Sequence, residues 1–146
     1  MTQTKSLVTI FLLESAMVKK IKEEKMLTET ELELINILWK MGEGTVAEVM
    51  QNLPKERDLA YTSVSTILRI LEQKKVLKAR KEGRGHVYIP LLSKEEYEGR
   101  TLRHVVDHVF DGTPMALAKQ FINTVSLSKE ELAELKKLID QAQRQS

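Results

Sequence analysis

The 146-residue chain contains no cysteine. That excludes disulfides, thiol nucleophiles and thiolate metal sites, and it suits a reducing cytoplasm. No apolar run approaches the roughly 18 residues that a membrane-spanning helix needs, so membrane insertion is not expected. There is no Gly-rich phosphate loop, nucleophile elbow or HExxH pair, and no serine and histidine fall at a catalytic spacing. Neither an enzyme nor a cofactor is therefore expected. No low-complexity linker interrupts the chain.

Residues 1–26 read as an N-terminal extension of uncertain standing. Lys5 followed by the apolar run Leu7 to Leu13 loosely resembles a short signal peptide, but Glu14 breaks the run and no small-residue cleavage site follows. Met17 and Met26 offer alternative starts, and the segment suits a loose or amphipathic helix.

What is present is enough to fold. The chain is 42% hydrophobic and 30% charged, apolar enough for a core and too apolar for a disordered polymer. Its net charge of +2 is unevenly spread. Residues 57–92 carry eight basic groups against three acidic, whereas residues 28–56 carry two against six. One middle block thus holds the positive potential expected of a phosphate-facing surface. A solvated face produces a similar count, so charge alone does not decide.

Helix starts are legible as capping boxes, a Ser or Thr followed three residues later by Glu. They are Thr28 with Glu31, Thr45 with Glu48, Ser93 with Glu96 and Ser128 with Glu131. Thr113 followed by Pro114 marks a fifth. The expected helices run from about Glu29 to Met41, with Leu32, Ile35, Leu38 and Trp39 as the apolar stripe and Gly42 as the stop. They continue from Val46 to Leu53 (stopped by Pro54), from Thr62 to Lys75, and near 94–110, 114–125 and 129–143. Between the third and fourth lie two extended runs, Leu77 to Lys81 and His86 to Leu91, joined by Glu82-Gly83-Arg84-Gly85, a hairpin signal. Helix, helix, helix, hairpin is the order of a winged helix-turn-helix.

The third helix is the most informative. Val64, Ile67, Leu68 and Leu71 recur at i, i+3, i+4 and i+7 and face a core. Two residues out of register, about 200° around the helix, Thr62, Ser65, Thr66 and Arg69 form a second stripe of three short hydroxyls and one arginine, without an acid. Short donors plus one long cation let a helix sit deep in a major groove, with Arg69 able to fork onto guanine. The hairpin adds Lys78, Arg80, Lys81 and Arg84, cations that a wing lays along phosphates or into a minor groove. The competing readings are an exposed Ser/Thr-rich face and a solubilising loop.

His104 and His108, at i and i+4, have a spacing that zinc or copper sites use, but two histidines without a third strong ligand read as packing. No metal is assigned. The last three helices carry more apolar stripe than they can bury alone: Leu102, Val105, Val106, Val109 and Phe110, then Leu117 and Phe121, then Leu132, Leu135 and Leu138. Dimerisation is the natural outlet and suits palindromic DNA; intramolecular packing is the alternative.

At this point residues 27–143 resemble the penicillinase-repressor family (the BlaI/MecI/CopY group). The match runs through Leu27-Thr28-Glu29-Thr30-Glu31, Ile35-Asn36-Ile37-Leu38-Trp39, Thr45-Val46-Ala47-Glu48-Val49 and the stretch Ala60 to Leu71. In the tail it includes Val109-Phe110-Asp111-Gly112 and Leu127-Ser128-Lys129-Glu130-Glu131-Leu132. The resemblance implies a homodimeric, cytoplasmic repressor with a winged-helix DNA reader and a three-helix dimerisation region. It draws Tyr61 into the DNA-contacting set with Thr62, Ser65, Thr66, Arg69, Arg80, Lys81 and Arg84. It also implies an antibiotic response: β-lactam-responsive members are inactivated when a membrane sensor-protease pathway cuts the tail at an Asn-Phe bond, matched here by Gln120-Phe121. The copper-responsive members' cysteine motif is absent. Val76 stands where the family usually has glycine after the recognition helix.

The sequence reading is thus a mainly α chain with a small antiparallel β wing. A winged helix-turn-helix over 27–92 is followed by a helical dimerisation domain over 93–146, acting as a repressor on double-stranded operator DNA. A winged helix that binds protein, and a repressor relieved by a small ligand or metal in the tail, remain as alternatives.

Overall fold

A computed structural model describes residues 26–146; the expectations for residues 1–25 lie outside the described residues. The elements in chain order are α1 (Glu29–Met41), α2 (Val46–Gln51), α3 (Tyr61–Gln73), β1 (Leu77–Glu82), β2 (Gly85–Pro90), α4 (Lys94–His108), α5 (Pro114–Thr124) and α6 (Lys129–Gln145). This is the expected mainly helical winged helix-turn-helix, with one two-stranded antiparallel sheet and three further helices.

The caps explain most of the helix starts. Thr45 with Glu48 and Ser128 with Glu131 form complete capping boxes. Ser93 Oγ accepts from the Glu96 amide. Thr28 Oγ1 accepts from the Glu31 amide, but the Glu31 carboxylate is drawn elsewhere, to Lys74 Nζ at 2.8 and 2.6 Å. That pair ties the start of α1 to the end of α3. α5 has no side-chain cap and relies on Pro114, whose missing N–H costs nothing at the first helical position. α2 stops at Gln51 rather than Leu53, because the Asn52 amide turns back to the Val49 carbonyl in a tighter 3₁₀ closure.

The core of the reader joins Leu34, Ile35 and Leu38 of α1, Val46 and Val49 of α2, and Val64, Leu68 and Leu71 of α3. The wing base adds Val76, Leu77 and Tyr88, with Leu92 beyond it. The expected α1 stripe is corrected here: Leu34 is fully buried, while Leu32 and Trp39 are only partly so. The indole N–H needs a partner, which keeps Trp39 at the edge. Its Nε1 donates to the Leu92 carbonyl at 2.8 Å, and its ring lies 5.8 Å from that of Tyr97.

α3 ends in a Schellman turn. The Val76 amide donates to the Leu71 carbonyl and the Lys75 amide to the Glu72 carbonyl. The left-handed residue is therefore Lys75, at φ 61°, and Val76 follows as the buried apolar contact of the motif. The usual glycine is not needed at Val76 itself. The Val76 carbonyl then accepts from Leu91 at 2.9 Å, closing the wing base.

The strands pair from Leu77↔Pro90 to Glu82↔Gly85, so the hairpin loop is only Gly83-Arg84. Of these two, Gly83 alone has positive φ (61°), the sign pattern of a type II′ turn that matches the twist of its strands. On the outer edge of β2, Gly44 exchanges hydrogen bonds with Tyr88 at 3.0 and 2.8 Å.

One compact unit ends at Leu102 and a second spans Arg103–Ser146. The first reaches beyond Leu92, the expected boundary, because the Tyr97 ring of α4 packs at a tilt against Trp39 and its hydroxyl accepts from the Leu27 amide. In the second unit, left-handed Asp111 and Gly112 (φ 52° and 76°) turn the chain from α4 into α5. None of α4, α5 and α6 has a buried residue.

Candidate nucleic-acid interface

The reading face of α3 follows from what its other face must do. With Val64, Leu68 and Leu71 buried, helix geometry turns Thr62, Thr66 and Arg69 outward and leaves Ser65 half-buried beside them. All four belong to the DNA-contacting set expected from sequence, and the structure brings them onto one open, acid-free strip. Tyr61 opens the helix and is 56% exposed. Thr66 Oγ1 donates to the Thr62 carbonyl at 2.8 Å, so it can offer a base edge its lone pairs and methyl but not its proton. Arg69 is exposed and has no ion pair among the described residues.

The N-terminus of α3 has no side-chain cap and no acid in its first turn. Its first amides and the positive end of the helix dipole are therefore open to an anion such as a phosphate.

The positive surplus of residues 57–92 is smaller in space than in sequence. Arg57 pairs with Glu33 at 3.0 Å through Nε, Lys74 with Glu31 at 2.6 Å, and Arg80 with Glu43 at 2.7 Å. Arg69, Lys75, Lys78, Lys81 and Arg84 carry no ion pair among the described residues. Arg84 sits at the hairpin tip, and Lys78 and Lys81 lie along β1, all exposed. Arg80 departs from the expectation of an unengaged wing cation: hydrogen bonding to Glu43, reinforced by its charge, raises the guanidinium pKa above its ordinary value.

Sequence reasoning missed Tyr88. It is 4% exposed, and burial raises its phenol above the ordinary value, with Glu72 adding to the shift and Arg69 opposing it. Tyr88 belongs to the core cluster with Leu34, Ile35 and Leu38 of α1 and Val64, Leu68 and Leu71 of α3, and its backbone is bonded to Gly44, so it anchors the wing to the body of the reader. The available signal was the alternation in β2, where Tyr88 shares a face with His86.

The other expected site residues fall in the second half of the chain. Leu102, Val109, Phe121, Leu132 and Leu138 are exposed, and Val105, Val106, Phe110, Leu117 and Leu135 are half-buried. Gln120 and Phe121 are both exposed within α5. The His104 and His108 rings stack 4.2 Å apart, and no group of three or more metal-ligating side chains exists among the described residues. No helix among the described residues is long and apolar enough to cross a membrane.

A protein-family profile described as penicillinase repressor matches residues 27–141. The chain belongs to the penicillinase repressor family. That is a family of transcriptional repressors, not of enzymes. The penicillinase repressor of Bacillus licheniformis is 27% identical over 120 residues, covering 82% of this chain and 94% of that protein. The methicillin resistance regulatory protein MecI of Mammaliicoccus sciuri is 20% identical over 114 residues, covering 78% and 93%. The transcriptional regulator BlaI of Mycobacterium tuberculosis is 35% identical over 71 residues, covering 48% and 51%. Among solved structures, the DNA-binding domain of the repressor BlaI is 30% identical, covers 49% of this chain and 88% of that one, and has a TM-score of 0.45.

Proposed function

We propose that this member of the penicillinase repressor family is a homodimeric, cytoplasmic repressor that reads a palindromic operator. α3 enters the major groove of each half-site and the wing follows the backbone. The observation that carries this is the open, acid-free strip of Thr62, Ser65, Thr66 and Arg69, with Lys78, Lys81 and Arg84 of the wing carrying no ion pair among the described residues. The apolar residues left exposed on α4, α5 and α6 support pairing through the tail.

Fluorescence anisotropy with operator and random duplexes tests the reading. Arg69→Ala should cost about 1–3 kcal/mol on the operator and relax preference at one base position, as loss of a bidentate base contact does. Arg84→Ala should weaken operator and random duplex alike and flatten the salt slope by about 1. Parent-like binding by both variants at every salt concentration refutes the assigned face.

For release of repression, the reading takes cleavage at Gln120-Phe121 by a sensor-protease pathway. Both residues are exposed in the single chain, on a short helix with no buried residue of its own; pairing would cover Phe121, so cleavage requires local opening of α5, which costs little in so weakly packed a segment. An intact band persisting on immunoblot while target transcripts rise after β-lactam treatment eliminates cleavage and favours a ligand in the tail.

A further inference from the structure

Glu43 sits in the turn between α1 and α2, and its neighbour Gly44 is hydrogen-bonded in both directions to Tyr88 of β2. That tether holds the Glu43 backbone against the outer edge of the wing. Arg80 projects from β1 opposite Val87, on the face away from the Tyr88 ring. The two side chains meet with Arg80 Nη2 2.7 Å from Glu43 Oε2, while Glu82 Oε2 lies at 3.5 Å. Only Nη2 of the guanidinium is engaged among the described residues. The pair remains open to water, with Arg80 52% and Glu43 48% exposed, so it adds little net stability.

A carboxylate and a phosphodiester are alternative partners for one guanidinium fork. We propose that Arg80 is a phosphodiester-binding station on the wing, and that Glu43 occupies it as an internal phosphate surrogate until nucleic acid displaces it. This rests on the repressor reading above. Displacement frees the Arg80 donors for a backbone oxygen only by breaking their pair with the Glu43 carboxylate. Glu43 therefore sets binding below the level that the wing's cations alone would give. Phosphate contacts carry no base information, so the effect should be the same on every sequence. Arg80 and Glu43 then tune overall affinity, whereas Arg69 tunes sequence preference.

Anisotropy titrations of the full chain against operator and random duplexes across a salt series test this. Glu43→Gln should tighten both duplexes by about three- to tenfold at low salt, because Arg80 no longer has to leave a charged partner to reach a phosphate. In an Arg80→Ala background the same substitution should change affinity less than about twofold, because the station is gone. Unchanged binding by Glu43→Gln overturns the proposal. So does equal tightening with and without Arg80, which would make Glu43 a general repulsive charge. A parent with no salt-dependent duplex binding overturns the underlying repressor reading instead. Melting curves of each variant confirm that an exposed substitution has left the fold intact.

Discussion

The two halves of this chain treat apolar residues in opposite ways. Every buried hydrophobic residue among those described lies between Leu34 and Leu92, including eight side chains that are almost completely inaccessible. The densely packed pairs of elements also all lie among α1, α2, α3, β1 and β2. From Leu102 onward the chain is as rich in leucine, valine and phenylalanine, yet leaves them exposed or half-buried. The first region has what a domain needs to fold alone. The second has the composition of half a core, and in the dimer proposed above a second copy would supply the other half through a two-fold interface.

The sharpest way to break this comparison is to cut it. A chain ending at Leu102 should remain folded and monomeric, because the Tyr97 contacts stay with the reader. The full chain should be a dimer by light scattering at micromolar concentration. Operator affinity should fall by about 10²–10⁴ on truncation, the avidity lost when two readers are no longer held together. A monomeric full chain, or a truncated chain that binds the full operator as tightly, ends the account of the tail.

Single leucines sharpen the same contrast. Leu68→Ala empties a fully buried site and should destabilise the reader by about 2–5 kcal/mol, by the same amount at every protein concentration. Leu138 is 55% exposed in the single chain, so Leu138→Ala should cost a lone protomer less than about 0.5 kcal/mol. In a dimer it should instead lower Tm and make the transition more dependent on protein concentration. Thermal melts over a hundredfold dilution series separate the two behaviours. Equal, concentration-independent losses would mean that Leu138 packs within its own chain.

The readable parts of the sequence were those governed by local rules. Helix starts followed from Ser and Thr spacing, and the outward strip of α3 from the period of Val64, Leu68 and Leu71. The hairpin followed from Gly83 and Gly85. What escaped were pairings between distant positions. Glu31 looks like a capping-box acid until Lys74 arrives from 43 residues away to take its carboxylate. Arg80 counts as a free wing cation until the fold brings Glu43 alongside. Periodicity placed Trp39 in the stripe because it cannot register that the indole N–H must find the Leu92 carbonyl. Tertiary contacts decided all three, and no window of sequence contains both partners.

The turn after α3 shows local and distant information meeting at one residue, and it supports the smallest predicted effect. Glycine is the usual residue at the left-handed position of a Schellman turn, and here that position is Lys75, at φ 61°. A side chain with Cβ in this conformation costs about 1–2 kcal/mol. Lys75→Gly removes that strain but loosens the unfolded chain, which offsets about 0.4–1 kcal/mol. The balance should stabilise the reader by about 0.5–1 kcal/mol, seen as a higher urea midpoint with unchanged slope. Gly42 ends α1 at φ 92° with open space around it; Gly42→Ala should therefore destabilise through backbone strain alone, making the opposite control. Because Lys75 carries no ion pair among the described residues, removing its charge leaves no buried partner stranded. If Lys75→Gly lowers the midpoint instead, the lysine contributes to α3 through something other than its backbone, and favourable attraction to the negative end of the helix is the first candidate. Lys75→Asn, which keeps tolerance for left-handed backbone without the charge, then separates the two contributions.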